Sequence, residues 1–117
     1  MAGPRITVQT QAVLAVFLDR AGRPGGDGEL WGFEVSRESG LPAGTIYPIL
    51  ARLTAAGWVS DRWEDPATAR AEKRPVRRYY QLTVDGKARA VHALGQAGPR
   101  RAGLLRLLGV EAEGGAL

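Results

Sequence analysis

The stretch GTIYPILARLTAAGW (residues 44–58) sets apolar side chains at Ile46, Ile49, Leu50 and Leu53, the three-and-four spacing of a helix with one buried face. Pro48 stands inside that pattern. A proline in a helix interior deletes one backbone hydrogen bond and costs about 3 kcal/mol or more. Two starts accommodate it. With Thr45 as cap, Pro48 falls in the first turn, where its missing N–H has no intrahelical partner to lose. With a start at Pro42 or Ala43, Pro48 lies within the helix and leaves the Gly44 carbonyl without its donor. Both versions put Thr45 and Tyr47 near the amino-terminal end.

Working upstream, Gly40 followed by Leu41 and Pro42 reads as a helix stop and a tight turn. Residues 30–39 return to helical spacing through Leu30, Phe33 and Val35, and the four glycines of AGRPGGDGE (residues 21–29) mark a loop. A first helix, capped by Thr7 or Thr10 and ending near Arg20, puts Val13, Val16 and Phe17 on one face. Downstream, Gly57 closes the helix. WVSDRWED (58–65) and RRYYQLT (77–83) are strand-like, and alternation turns Tyr80 and Leu82 inward and Tyr79 outward. Between them lies a polar segment with two prolines, read as a mobile hairpin tip. Thr83 then caps a last helix, rich in Ala and Gly, that Gly98 and Pro99 interrupt before a frayed tail.

The predicted class is mainly α with a small β-hairpin. Two helices across a short glycine-containing turn, followed at once by a hairpin, describe a winged helix-turn-helix. Residues 1–82 form this domain, and 83–117 form a C-terminal helical segment.

Several function classes fall away. With no cysteine in 117 residues there is no thiolate metal site or cysteine nucleophile, and a reducing compartment suits the chain. His92 is the only histidine and has no paired carboxylate or nucleophile nearby, so no catalytic residue is assigned. GRPGGDG lacks the lysine of a phosphate-binding loop, and the acids match no metal-binding pattern, so neither cofactor nor metal is expected. The apolar stretch near the amino terminus is too short to span a bilayer, and a cytoplasmic protein without a membrane partner is expected. A net charge of +4 favours a polyanion.

The charges and hydroxyls gather in two places. On the outward face of the second helix of the motif, Thr45, Tyr47, Pro48 and Arg52 stand where such helices meet double-stranded DNA. At the hairpin tip, Arg70, Lys73, Arg74, Arg77 and Arg78 face a single acid, Glu72, while Asp61, Glu64 and Asp65 lie on the preceding strand. A positive tip beside a groove-reading helix suits phosphate contact.

The segments WGFEVSRESGLPAGTIYPILARLTAAGWV and KRPVRRYYQLTVDGKA resemble the PadR family of bacterial transcriptional regulators. The most specific pieces are residues 44–48, the exit at Arg52, Leu53, Gly57 and Trp58, and residues 78–83 leading into Gly86. The resemblance implies a winged-helix repressor that binds operator DNA as a homodimer, often released by a small molecule. It also implies a dimerisation role for 83–117 with help from the first helix. Val91, Leu94, Leu104, Leu105 and Leu108, with Val13 and Phe17, are the residues available for that interface. An effector pocket between subunits would lie near Trp31 or Trp63. The competing reading is a winged-helix module that binds a protein partner through exposed aromatics, without direct operator contact.

Overall fold

Thr7 starts the first helix: its hydroxyl accepts the Thr10 N–H at 3.1 Å, while Thr10 itself is buried. The computed structural model describes residues 4–107, and the side chains of residues 4–95 among them. Helix α1 (Val8–Ala21) turns Val13, Leu14 and Phe17 into the core. Leu30–Trp31 then forms a two-residue strand, β1, before α2 (Gly32–Ser39). The expectation of helix from residue 30 is corrected at those two residues. They pair with Tyr80 and Tyr79 of β3 (Arg78–Leu82), and Glu34 accepts the Trp31 N–H at 3.2 Å, so the helix opens after the strand.

Gly40, at φ +76°, ends α2 in the left-handed conformation that glycine adopts without steric penalty. Helix α3 (Ala43–Ala55) begins at once. The Pro42 carbonyl accepts the N–H groups of Thr45 and Ile46 at 2.9 and 3.1 Å. Extended Pro42 is therefore the cap, the reading with Thr45 in that role is corrected, and Pro48 lies inside the helix. At the far end the Trp58 N–H reaches back to the Leu53 carbonyl at 3.0 Å across Gly57, a Schellman closure.

The wing follows as β2 (Val59–Trp63), α4 (Pro66–Ala71) and β3. Its tip is folded, which corrects the reading of a mobile tip. Asp65 caps α4 through the Ala67 N–H at 2.9 Å, Pro66 sits at its first turn, and Ala69 is buried beneath. The sheet is antiparallel in the order β1-β3-β2, so the expected hairpin gains a third strand. Helix α5 (Val84–Leu107) runs on through Gly98 and Pro99. A proline removes one hydrogen bond but need not end a helix.

One apolar core joins these elements. The α3 stripe of Ile46, Ile49, Leu50 and Leu53 is buried against α1, with Leu30, Trp58 and Tyr80 closing the sheet side and Ala90 bringing in α5. Val13 and Phe17 belong to this core at 0% and 1% exposure. The expectation that they face a partner subunit is corrected: both are buried inside the chain's own core. On α5, Val91 is exposed and Leu94 half-buried. The Leu104 and Leu105 side chains and the whole of Leu108 lie outside the described residues, as does the tail. Among the described residues no helix is long and apolar enough to cross a membrane.

Candidate nucleic-acid interface

Burying one face of α3 leaves the opposite face bare. Tyr47 is 50% exposed, Pro48 and Arg52 are exposed with Ala51 and Ala55 low between them, and Thr45 is half-buried. Small neighbours allow another surface to approach closely, and the hydroxyls and guanidinium can donate to phosphates or base edges. Tyr47 also packs inward. A Cβ built on Gly32 would overlap its hydroxyl, so the glycine that opens α2 is what lets the ring lie there.

The wing's charges are sorted by pairing. Arg74 donates to both carboxylate oxygens of Glu64 at 2.7 Å and to Glu72 at 2.9 Å. The Arg78 Nε donates to Asp61 at 2.6 Å, and its guanidinium lies over Trp63 and Tyr80. Arg77 stacks on Trp31, 4.0 Å from the ring centroid. The expectation that the acids leave the tip uncompensated is thus corrected at Arg74 and Arg78. Asp61 on β2 and Glu64 just past its end lie alongside β3 and the tip, within reach of both. Arg70 and Lys73 stay exposed and have no ion-pair partner among the described residues. Lys73 also holds a left-handed backbone, φ +54°, uncommon for a residue with a side chain. The Arg74 N–H, bonded to the Ala69 carbonyl at 3.1 Å, fixes that turn.

The Arg74 hydrogen bonds hold the Glu64 carboxyl below the usual carboxylate range, against the opposing effect of burial. A carboxyl depressed in the folded state contributes stability above its unfolded value and loses it as pH falls through its folded value. The wing tip is expected to loosen in acid, below about pH 4. The NMR shift of the Arg77 amide, which donates to Glu64 at 3.3 Å, should move with pH in the parent protein, and Glu64→Gln should abolish that response.

A cavity of about 510 Å³ lies between the start of α2, Tyr47 of α3, and the wing. Trp31 and Trp63 both line it, with Arg77, Arg78 and Tyr80. It is formed within a single chain, whereas the sequence reading set a pocket between subunits. Sequence reasoning missed Gly32 and Glu64. The Gly32 requirement comes from a residue fifteen positions away on another helix, and the Glu64–Arg74 pair is separated by ten residues that only a folded tip brings together.

The model of the transcriptional regulator PadR-like family matches residues 32–92, from the opening of α2 into α5. The chain belongs to this family. A PadR-like transcriptional regulator from Bacillus cereus is similar over 89% of this chain and 94% of its own, at 20% identity and a TM-score of 0.62. Bacillus subtilis PadR, solved in complex with operator DNA, matches 77% of this chain at 22% identity and a TM-score of 0.57. This chain spans 48% of that one. NadR, solved in complex with 4-hydroxyphenylacetate, covers 88% of this chain and 64% of its own at 18% identity and a TM-score of 0.57. At such identities the likeness is one of fold. No curated protein matches the chain in sequence. The PadR-like family consists of transcriptional regulators, so this chain is a transcriptional regulator and not an enzyme.

Proposed function

We propose that this PadR-like chain is a cytoplasmic repressor that binds a roughly palindromic operator as a homodimer and is released by a small-molecule effector. The observation that carries the reading is the bare face of α3, with Thr45, Tyr47, Pro48 and Arg52, set beside a wing whose Arg70 and Lys73 are unpaired among the described residues. Helix α3 enters the major groove, and the wing rests on flanking phosphates through Arg70 and Lys73, with Arg77 nearer the groove. Arg74 and Arg78, bound to carboxylates, chiefly hold the wing in shape. The operator complex of Bacillus subtilis PadR supports a duplex partner, and the bound 4-hydroxyphenylacetate of NadR supports a small-molecule signal.

The dimer uses α5. Val84 and Val91 are exposed on it at 91% and 58%, and apolar side chains in that setting favour a second copy of the same helix. The segment 83–117 is the dimerisation unit in this reading, and 1–82 the DNA-binding unit. Hydroxyl-radical footprinting on the promoter region of the protein's own gene tests it. Two protected patches about 34–36 Å apart are expected, one per protomer. A single patch would contradict the dimer. Loss of all protection, with function in cells retained, would favour the protein-interaction module, for which exposed Phe33 and Trp63 are the available aromatics.

A further inference from the structure

We propose that Glu64 is a positioning residue for DNA binding: its buried carboxylate clamps the wing tip through Arg74, so that a negative charge on the DNA-facing wing raises affinity for a polyanion. The proposal rests on the regulator reading above and adds the residue that sets the wing's two unpaired cations.

Glu64 is where the two strands last meet before the tip. Its N–H donates to the Arg77 carbonyl at 2.8 Å, one step beyond the Trp63–Arg78 pair of β2 and β3. Its side chain, only 8% exposed, accepts both Arg74 Nη groups at 2.7 Å and the Arg77 N–H at 3.3 Å. A buried carboxylate is costly unless donors meet it, and here three do. Arg74 is the other half of the clamp. Its Nε donates to Glu72 at 2.9 Å, its Nη1 also to the Pro75 carbonyl at 3.3 Å, and its backbone N–H to the Ala69 carbonyl at 3.1 Å. One residue thus ties the end of β2, helix α4 and the returning chain to one another.

The clamp carries Arg70 and Lys73, both exposed and without ion-pair partners among the described residues. The Lys73 N–H donates to the Arg70 carbonyl at 3.1 Å, and Lys73 holds its left-handed backbone at φ +54°. A six-residue helix does not hold itself in water, and a lysine does not settle in that conformation unaided. Both persist because the tip is tied from outside. With the clamp closed, Arg70 and Lys73 meet phosphates on a tip already ordered. With it open, the same contacts require the tip to be ordered on the DNA, which weakens binding. Charge alone gives the opposite sign, because removing an acid near a polyanion favours association.

Two glutamates on one arginine separate these readings. Glu72 also pairs with Arg74, but its side chain is 56% exposed, so its carboxylate is an ordinary surface partner. Fluorescence anisotropy with an operator duplex and a random duplex supplies the affinities. Glu64→Gln should weaken binding to both duplexes about tenfold per protomer, whereas Glu72→Gln should leave it equal or tighter. The slope of log K against log salt should stay within about 0.5 of the parent's in Glu64→Gln, because the same phosphates are met. The preference for operator should hold, because α3 is untouched. In the free protein, the NMR order parameters of the Arg70 and Lys73 amides should fall from about 0.85 to below about 0.6 in Glu64→Gln and stay high in Glu72→Gln. Binding by Glu64→Gln as tight as the parent's or tighter overturns the proposal, as does equal weakening by the two variants or loss of the operator preference. Undiminished order parameters in Glu64→Gln overturn the clamp itself. Absence of all DNA binding by the parent would instead defeat the regulator reading, while the order parameters would still decide the clamp.

Discussion

Gly86→Ala should destabilise the protein by about 3 kcal/mol, although the same change in an open helix position stabilises. Gly86 lies in the first turn of α5, where the helix crosses the end of α3 and the start of β2. A Cβ there would fall on the Trp58 carbonyl, 2.6 Å from its carbon. The obstacle is backbone, so no rotamer change relieves it. The turn it would displace is tied at several points. The Thr83 N–H donates to the Trp58 carbonyl at 2.9 Å, the Thr83 hydroxyl donates to the Gly57 carbonyl at 2.8 Å, and the Gly86 N–H donates to the Thr83 hydroxyl at 2.9 Å. Urea unfolding checks the prediction. Gly95→Ala is the control in the same helix: nothing among the described residues lies within 4 Å of its added Cβ, and a gain of up to about 1 kcal/mol is expected. Opposite signs at the two glycines would establish the close approach of α5 to Trp58.

Replacing Arg52, Arg70 and Lys73 together with alanine should cut DNA affinity about 100-fold per protomer at physiological salt, with the salt slope falling by about 3. The magnitude comes from counterion release. Each phosphate contact contributes about 0.9 to the slope of log K against log salt, which at about 0.15 M is near 0.7 of a logarithmic unit. Three contacts give roughly two logarithmic units, and a dimer with both protomers engaged loses twice that. These three side chains are exposed, without ion-pair partners among the described residues, so their removal leaves no buried acid behind. Arg74→Ala differs in kind. It removes a cation already matched by Glu64 and Glu72, so the slope should change by less than for any one of the three. Filter binding or fluorescence anisotropy over a salt series separates the two cases. An Arg74→Ala slope change of about 0.9, that of one unpaired cation, would mean that the Glu64 pair opens on DNA.

Helix α3 was legible because its signals are local. The spacing of Ile46, Ile49, Leu50 and Leu53 repeats with the helix, and all four are buried. Gly40 and Gly57 sit at the helix ends with φ of +76° and +79°, as a glycine after a periodic run implies. Strand alternation likewise put Tyr80 in the core and left Tyr79 half-buried beneath Arg62. What escaped the sequence was either too short or too distant. Strand β1 has two residues, too few to show alternation, and exists because β3 pairs with it. Helix α4 has six, fewer than two turns, so its cap at Asp65 and Pro66 carried the signal that periodicity could not. The charge pattern misled for a different reason. Counting acids along the chain separates Asp61 and Glu64 from the tip, whereas the fold of the wing lays them against Arg78 and Arg74. Pro48 was recognised as unusual but not placed, because the choice between Pro42 and Thr45 as cap depends on which carbonyl collects the first N–H groups.

The central claim is that α3 reads sequence and that the chain does more than hold a polyanion. Competition binding compares the promoter region of the protein's own gene with a random duplex of equal length across a salt series. A specific regulator should prefer its operator by about a thousandfold or more, with the preference persisting as salt weakens both complexes, because base contacts release few counterions. Equal affinity for the two duplexes at every salt concentration would contradict the claim and reduce the protein to a charge-driven DNA binder.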